Sequence, residues 1–390
     1  MEDIIELKES DYESVSLLSQ FAFQYELSED ELIKKKKEMA RHRIWGWMVE
    51  GDLAAKLHLI PLSCYILGNT YKMGGISAVG TWPEYRRQGM VKKLLKHALT
   101  EMKKEGQTIS FLHPFSIPFY RKYGWEMAFH SNKYTIPMKK LKKDWDGKGY
   151  LRRNPLDLDT LHSVYTRYAK QFTGMLTRDR KWWEQRVFKD RWHTAVAYDE
   201  AGSAEGYLLY MVKENVLHVH EMVDCTLNAR KLLFQFISDH DSMAEEVRIT
   251  LPDNDHIRLL INDPSFQHKV EPNFMARIVD VLAFLEKYPL QKCYLTQPLL
   301  LHVVDDFLPE NNGTYHFNSI GDHIKITYEA YDDISVKGLH CNIQQLTIMM
   351  LGYKRPSDLF NAGLLKGEYE DIKKLEKIIP FQQTLLTDSF

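Results

Sequence analysis

Cysteine is scarce: four in 390 residues, at Cys64, Cys225, Cys293 and Cys341, with no short C-x-x-C pair. That scatter excludes a disulfide scaffold or a cysteine-rich zinc framework and fits thiols kept in a reducing compartment. Long apolar runs are missing as well. The stretch Leu299–Val304 already contains His302 and stops at Asp305 and Asp306, well short of the roughly 18–20 residues of a membrane span. The opening Met1-Glu2-Asp3-Ile4-Ile5-Glu6 lacks the basic flank and apolar core of a signal peptide. Nor does one sign of charge dominate. The 51 Lys+Arg against 53 Asp+Glu leave −2, so no global basic field points to nucleic acid or an anionic membrane. A soluble cytoplasmic protein, with no membrane span and no nucleic-acid partner, is expected.

What is present is ordinary globular material, 44% hydrophobic and 27% charged. The length suits roughly two to three domains. The first third reads as mixed α/β. Ser10 followed by Glu13 has the spacing of a capping box, opening a helix with Val15, Leu17, Leu18 and Phe21. A second helix is predicted over Glu29–Met39, its Lys34-Lys35-Lys36-Lys37 run forming a solvated face. Strands at Trp45–Val49 and Leu53–Ile60 flank the turn Glu50-Gly51-Asp52, and a strand at Gly75–Thr81 leads into a helix over Gly89–Lys104. Further strands are predicted at Thr108–Leu112 and Trp125–Pro137, with a polar linker at Leu141–Gly149.

The second third repeats this plan loosely. Strands at Thr194–Tyr198, Gly206–Val212 and Val216–Val223 lead into a helix at Asn228–Ser238, a degenerate internal duplication. The last third differs. Strands near Gly313–Phe317, His323–Tyr328 and Ser335–Gly338 precede helices at Ile343–Leu351, Pro356–Leu364 and Glu368–Ile379, an α+β pattern.

The most informative stretch is Val79-Gly80-Thr81-Trp82-Pro83-Glu84-Tyr85-Arg86-Arg87-Gln88-Gly89-Met90-Val91. A strand runs through a loop with two arginines and a glycine directly into a helix start. Unpaired N–H groups and the positive dipole end suit a pyrophosphate there. Gly89 allows close approach to the backbone, and Arg86 and Arg87 supply charged donors. Without an anion, two cations at a helix N-terminus oppose the dipole.

Residues Arg86–Val91 are similar to the R/Q-x-x-G-x-G/A acetyl-CoA signature of the GNAT N-acetyltransferases, with Val91 in place of the final small residue. Downstream, Pro118-Phe119-Tyr120-Arg121-Lys122-Tyr123-Gly124-Trp125 resembles that family's aromatic FYxxxGF segment. With a degenerate second copy and an unrelated third part, the whole chain resembles the Eis-type (enhanced intracellular survival) acetyltransferases. The resemblance implies α/β and α+β architecture: two GNAT-like mixed-sheet domains in tandem, then an SCP2-like (sterol-carrier-protein-2-like) α+β domain. It divides the chain into a catalytic domain at 1–140, a degenerate GNAT-like domain at 141–275 and a C-terminal domain at 276–390.

The resemblance also implies roles. Acetyl-CoA is the acyl donor and no metal takes part. Val79, Gly80, Thr81, Arg86, Arg87, Gln88, Gly89, Met90 and Val91 hold the donor, Tyr120 is the general acid, and the α-carboxylate of Phe390 reaches the active site as base. Phe21, Phe23, Tyr25, Trp82 and Asp388 are expected around the acceptor, with Trp45 and Trp47 nearby. The acceptor is the primary amine of a small polycationic, aminoglycoside-like molecule or of an exposed lysine, and a homo-oligomer, a hexamer, is implied. A lipid or sterol carrier with a GNAT scaffold and a tandem-GNAT aminoacyl transferase are the alternatives. The pair His218-x-His220 on a strand reads as polar alternation rather than a metal site.

Overall fold

The computed structural model of the chain describes residues 4–153, 157–188, 192–330 and 337–390. In the first third, β1 (Ile4–Leu7), β2 (Arg43–Val49), β3 (Asp52–Ile66) and β4 (Asn69–Thr81) are antiparallel neighbours. Strand β5 (Ile109–Leu112) runs parallel to β4, and a two-residue β6 (Glu126–Met127) follows. Helices α1 (Tyr12–Phe23) and α2 (Glu29–Met39) join β1 to β2, α3 (Met90–Lys104) joins β4 to β5, and the short α4 (Ile117–Arg121) precedes β6. Helix α3 buries Leu94, Leu95, Ala98, Leu99 and Met102 while Lys92, Lys93 and Lys96 stay exposed, the stripe that a 3.6-residue period produces.

Ser28 caps α2 as a box with Glu31, but Ser10 does not cap α1. A 3-10 turn at Glu9–Asp11 precedes α1, and the Lys8 backbone N–H donates to the Asp11 carboxylate at 2.7 Å, so the cap moves upstream. Lys35 leaves the expected solvated face. It lies within reach of Glu38 (3.5 Å) and faces a cavity.

The chain continues through β7 (His130–Pro137), β8 (Tyr150–Arg153), β9 (His193–Tyr198), β10 (Ala204–Lys213), β11 (Val216–Asp224), β12 (Glu246–Leu251), β13 (Gln267–Pro272) and β14 (Met275–Ile278). The two large sheets exchange strands. The first runs β1-β2-β3-β4-β5-β14-β6, and the second β13-β7-β12-β11-β10-β9-β8. The single strand predicted over Trp125–Pro137 is therefore two pieces that part at Ala128-Phe129 and join different sheets. Alternation reports strand on both sides of the break and carries no information about partner. Strands β9, β10 and β11, a helix at Leu227–Ser238 and the parallel β12 repeat the β2–β5 plan.

The polar stretch Leu141–Gly149 is no free linker. Trp145 is buried on Phe234 (ring centroids 4.9 Å apart), and its indole N–H donates to Ser238 Oγ at 2.9 Å. One buried indole with a satisfied N–H outweighs its charged neighbours. In the last third, β15 (Leu299–Val304) lies between β16 (Gly313–Ile320) and β18 (Leu339–Asn342), with β17 (His323–Glu329) at the edge. The strand expected at Ser335–Gly338 begins outside the described residues. Helices Ile343–Met350, Pro356–Asn361 and Tyr369–Ile378 follow.

The chain then runs back across the second unit. Leu385 N–H donates to Thr173 O at 3.0 Å, and the Phe390 ring ends against Gly75 of β4, where a Cβ would lie 2.7 Å from the ring. The four cysteines are free thiols. Among the described residues no helix is long and apolar enough to cross a membrane.

Candidate active site

Strand β4 pairs with β5 only from Met73 to Ile76. Beyond Leu112, His113-Pro114 turns β5 away, and Ser77–Thr81 have no partner on that side among the described residues. Proline cannot donate to a ladder, so the parting is local and sequence-driven. A cavity of about 620 Å³ opens beside this edge, lined by Val79–Thr81, the loop Arg86–Gly89, the start of α3, and Phe119 and Tyr123. In that loop Arg87 (φ +63°) and Gly89 (φ +81°) are left-handed. Nothing lies within 4 Å of a Cβ placed on Gly89, so glycine is needed there for its backbone conformation, not for space. No side chain caps α3, which leaves its first N–H groups to whatever occupies the cavity.

A second cavity of about 270 Å³ adjoins the first, since Phe23, Val79 and Phe115 line both. Its walls include Tyr25 from the end of α1, His42, His58 of β3, His113, Tyr120 and Phe390. Tyr120 projects from α4, its ring packed among Phe115, Phe119 and Trp125. Its hydroxyl makes no hydrogen bond to any described residue. Burial pushes its pKa up, so the phenol stays protonated. Phe390 reaches the cavity with its ring tilted on Phe274 at 4.9 Å.

Beneath the cavity floor lies a group that sequence reasoning missed. Between Lys56 and His58 the β3–β4 register shifts, and Ala78 sits in the resulting bulge at φ +48°. Lys56 is completely buried and donates from Nζ to Ala78 O at 2.9 Å. The same Nζ is 3.2 Å from His58 Nε2, and His58 Nδ1 is 3.0 Å from His42 Nδ1. The signal was present: residues 56 and 58 share one face of an otherwise apolar strand. Two polar side chains on a buried face require a partner or a function.

Comparison with known proteins matches three separate stretches of the chain. Residues 3–128 match the acetyltransferase (GNAT) domain family, and residues 174–278 match a second acetyltransferase (GNAT) domain family. The chain carries two GNAT acetyltransferase domains. Residues 281–387 match the sterol carrier protein domain, which completes the tandem-GNAT, Eis-type arrangement. A curated relative, an uncharacterized N-acetyltransferase of Streptomyces avermitilis, is 24% identical over 241 residues, 55% of this chain and 58% of that protein. The chain thus spans less than two-thirds of that relative. Among solved structures, a probable N-acyltransferase of Enterococcus faecalis superposes with a TM-score of 0.90 at 26% identity, covering 99% of both chains. An Eis protein of Mycobacterium abscessus shares the fold over 100% of both chains, with a TM-score of 0.83 at 18% identity.

In this GNAT protein, Val79, Gly80, Thr81, Arg86, Arg87, Gln88, Gly89, Met90 and Val91 all line the larger cavity. Tyr120, Phe390, Phe23 and Tyr25 meet in the smaller one. Phe21 and Trp82 stack on each other at 4.8 Å and line neither. Asp388 is buried away from both. Its carboxylate accepts from Arg178 Nε (3.0 Å), Trp182 Nε1 (2.7 Å) and Tyr165 OH (3.3 Å). Trp45 and Trp47 pack in the core of the first unit. His220 stacks on Trp192 (4.6 Å), and no metal-ligating group of three or more side chains occurs among the described residues.

Proposed function

We propose that the chain is an acetyl-CoA-dependent N-acetyltransferase for primary amines, with catalysis in the first unit, residues 1–140, and Phe390 supplied by the unit at 276–390. The observation that carries this reading is the gap between β4 and β5, with an uncapped, arginine-flanked helix start on one side and Tyr120 on the other. The unpaired edge Ser77–Thr81 suits the amide groups of a pantetheine arm, as an exposed strand edge suits a peptide. Arg86, Arg87 and the first N–H groups of α3 suit its diphosphate. Acetyl-CoA supplies an activated acetyl thioester.

The protein's own groups do the rest. A backbone N–H near Val79 or Gly80 is available to the thioester oxygen, and such donors are worth about 2.7–4 kcal/mol. Tyr120 carries the proton for the departing sulfur. The α-carboxylate of Phe390 acts on the acceptor amine as its base. Among the described residues no aspartate or glutamate side chain lines the smaller cavity, while Lys35 and Arg186 reach it. That supports a lone amine, such as an exposed lysine, over a polycation. Assembly as a homo-oligomer, a hexamer, and a cytoplasmic location complete the proposal.

Saturating acetyl-CoA should raise the melting temperature, and free thiol should appear when an amine is added. No thermal shift at saturation overturns the reading.

A further inference from the structure

Lys56 is a buried amine with no carboxylate beside it among the described residues. Burial, together with Lys35, lowers its pKa to about 7. The groups that face Lys56, His58 and His42 are Lys35, Arg41 and Arg186, all cations. Their own carboxylate partners stand further out. Glu38 lies 3.5 Å from Lys35 and 3.3 Å from Arg186, and Asp179 pairs with Arg41. Across the cavity stand Tyr25, His113, Tyr120 and Phe390. A side chain kept in such surroundings only to fill space is better replaced by an apolar one.

The three side chains form hydrogen bonds in series, 3.2 Å from Lys56 Nζ to His58 Nε2 and 3.0 Å between the two Nδ1 atoms. Two facing Nδ1 atoms share one hydrogen, so the tautomer of either ring dictates that of the other. His42 lines the cavity, and its Nε2 makes no hydrogen bond to a described residue.

We propose that His42, His58 and Lys56 form a proton relay that holds the proton released by the acceptor amine on Lys56 during transfer and returns it by the same route when product leaves. The inference rests on the acetyl-transfer reading for its purpose, though not for its geometry. Before transfer, His42 carries hydrogen on Nδ1, His58 carries it on Nε2, and Lys56 is a neutral amine. As the acceptor nitrogen bonds to the acyl carbon, its proton passes to the Phe390 carboxylate and from there to His42 Nε2, both of which line this cavity. The His42 Nδ1 hydrogen moves to His58 Nδ1, and the His58 Nε2 hydrogen moves to Lys56, which ends as an ammonium. Each ring gains one proton as it loses another, so neither becomes an imidazolium. The surrounding cations forbid that state in any case: burial and Arg186 hold His42 down to about 3, and burial and Lys56 hold His58 well below its usual value. The ammonium of Lys56 keeps its hydrogen bond to Ala78 O. Phe390 is the group that meets the acceptor; His42, His58 and Lys56 act through it.

The test uses the full-length protein. Lys56→Arg keeps a cation and a donor at the site but cannot take up a proton at neutral pH. Its kcat should fall about 10²-fold, the low end of general acid–base contributions, with the KM for acetyl-CoA unchanged. The wild-type rise of kcat through about pH 7 should vanish with it, and His58→Asn should lose the same limb. Wild-type kcat and pH profile in either variant would overturn the relay. A second measurement needs no turnover. The ring nitrogens of 15N-histidine-labelled protein should show His42 and His58 changing tautomer in one shared step near neutral pH, a step absent from Lys56→Met. Fixed tautomers from pH 5 to 9 in the wild type also overturn the relay. A shared step in a protein that acetylates no amine leaves the relay standing and removes the acetyl-transfer reading.

Discussion

Tyr120 and Lys56 show burial working on opposite charge types. For the phenol, burial favours the neutral acid, so Tyr120 stays protonated wherever the protein is folded. Tyr120→Phe should lower kcat by about 10²–10⁴-fold with acetyl-CoA affinity unchanged, as measured by thiol release and calorimetry. For the ammonium, burial favours the neutral amine, and the folded pKa lies below that of the unfolded chain. The folded state then binds fewer protons, so the penalty is greatest below about pH 7 and fades as pH rises toward the ordinary lysine value. Lys56→Met should therefore raise thermal stability at neutral pH by the order of a few kcal/mol, less so at pH 10. An unchanged melting temperature at both pH values would contradict this. Tyr120 was legible from its aromatic motif. Lys56 and His58 showed only as two polar residues on one face of a mostly apolar strand, a signal that takes meaning once that face is known to be buried.

At the scale of elements, the turn from β4 into α3 concentrates what a phosphate needs. Two left-handed residues, Arg87 and Gly89, fold the loop so that the uncapped α3 start faces the cavity. Gly89→Ala meets no steric obstacle but must hold a positive φ, at about 1 kcal/mol or more. It should weaken acetyl-CoA binding more than it lowers the melting temperature. Arg86→Ala should weaken binding mainly at low ionic strength, because the side chain is exposed and its field is screened by salt. Titration calorimetry at two salt concentrations checks both. This element was readable from residue order alone. The fates of Trp125–Pro137 and of Trp145 were not, since both depend on a partner distant in the chain.

At the scale of the molecule, the last residues tie the units together. Arg178 is clamped between Glu221 (3.0 and 2.5 Å) and Asp388 (3.0 and 3.2 Å), with all three buried. Two residues on, Phe390 enters the cavity of the first unit. Asp388→Ala should cost about 3–5 kcal/mol, since it strips acceptors from Arg178, Trp182 and Tyr165. It should also cut kcat by releasing the tail, which carboxypeptidase digestion would report. Burial raises the Glu221 pKa, but Arg178 outweighs it and the net shift is downward. Its stabilisation is thus complete above the ordinary carboxylate range and lost as pH falls through the lower folded value. The melting temperature should therefore fall in acid, below about pH 4.5.

Local order along the chain was enough to reveal many of the elements, the repeated strand–helix plan, the arginine-bearing turn into α3 and the aromatic segment bearing Tyr120. Each of these depends on neighbours within a few residues, where periodicity, capping and backbone preference act. Which sheet receives His130–Pro137 or Met275–Ile278 was decided only by tertiary structure. So were the place of Asp388 beside Arg178 rather than in the cavity, and the meeting of His42 with His58. Those outcomes turn on burial and charge shared between residues far apart in sequence, energies that exist only once the chain has closed on itself.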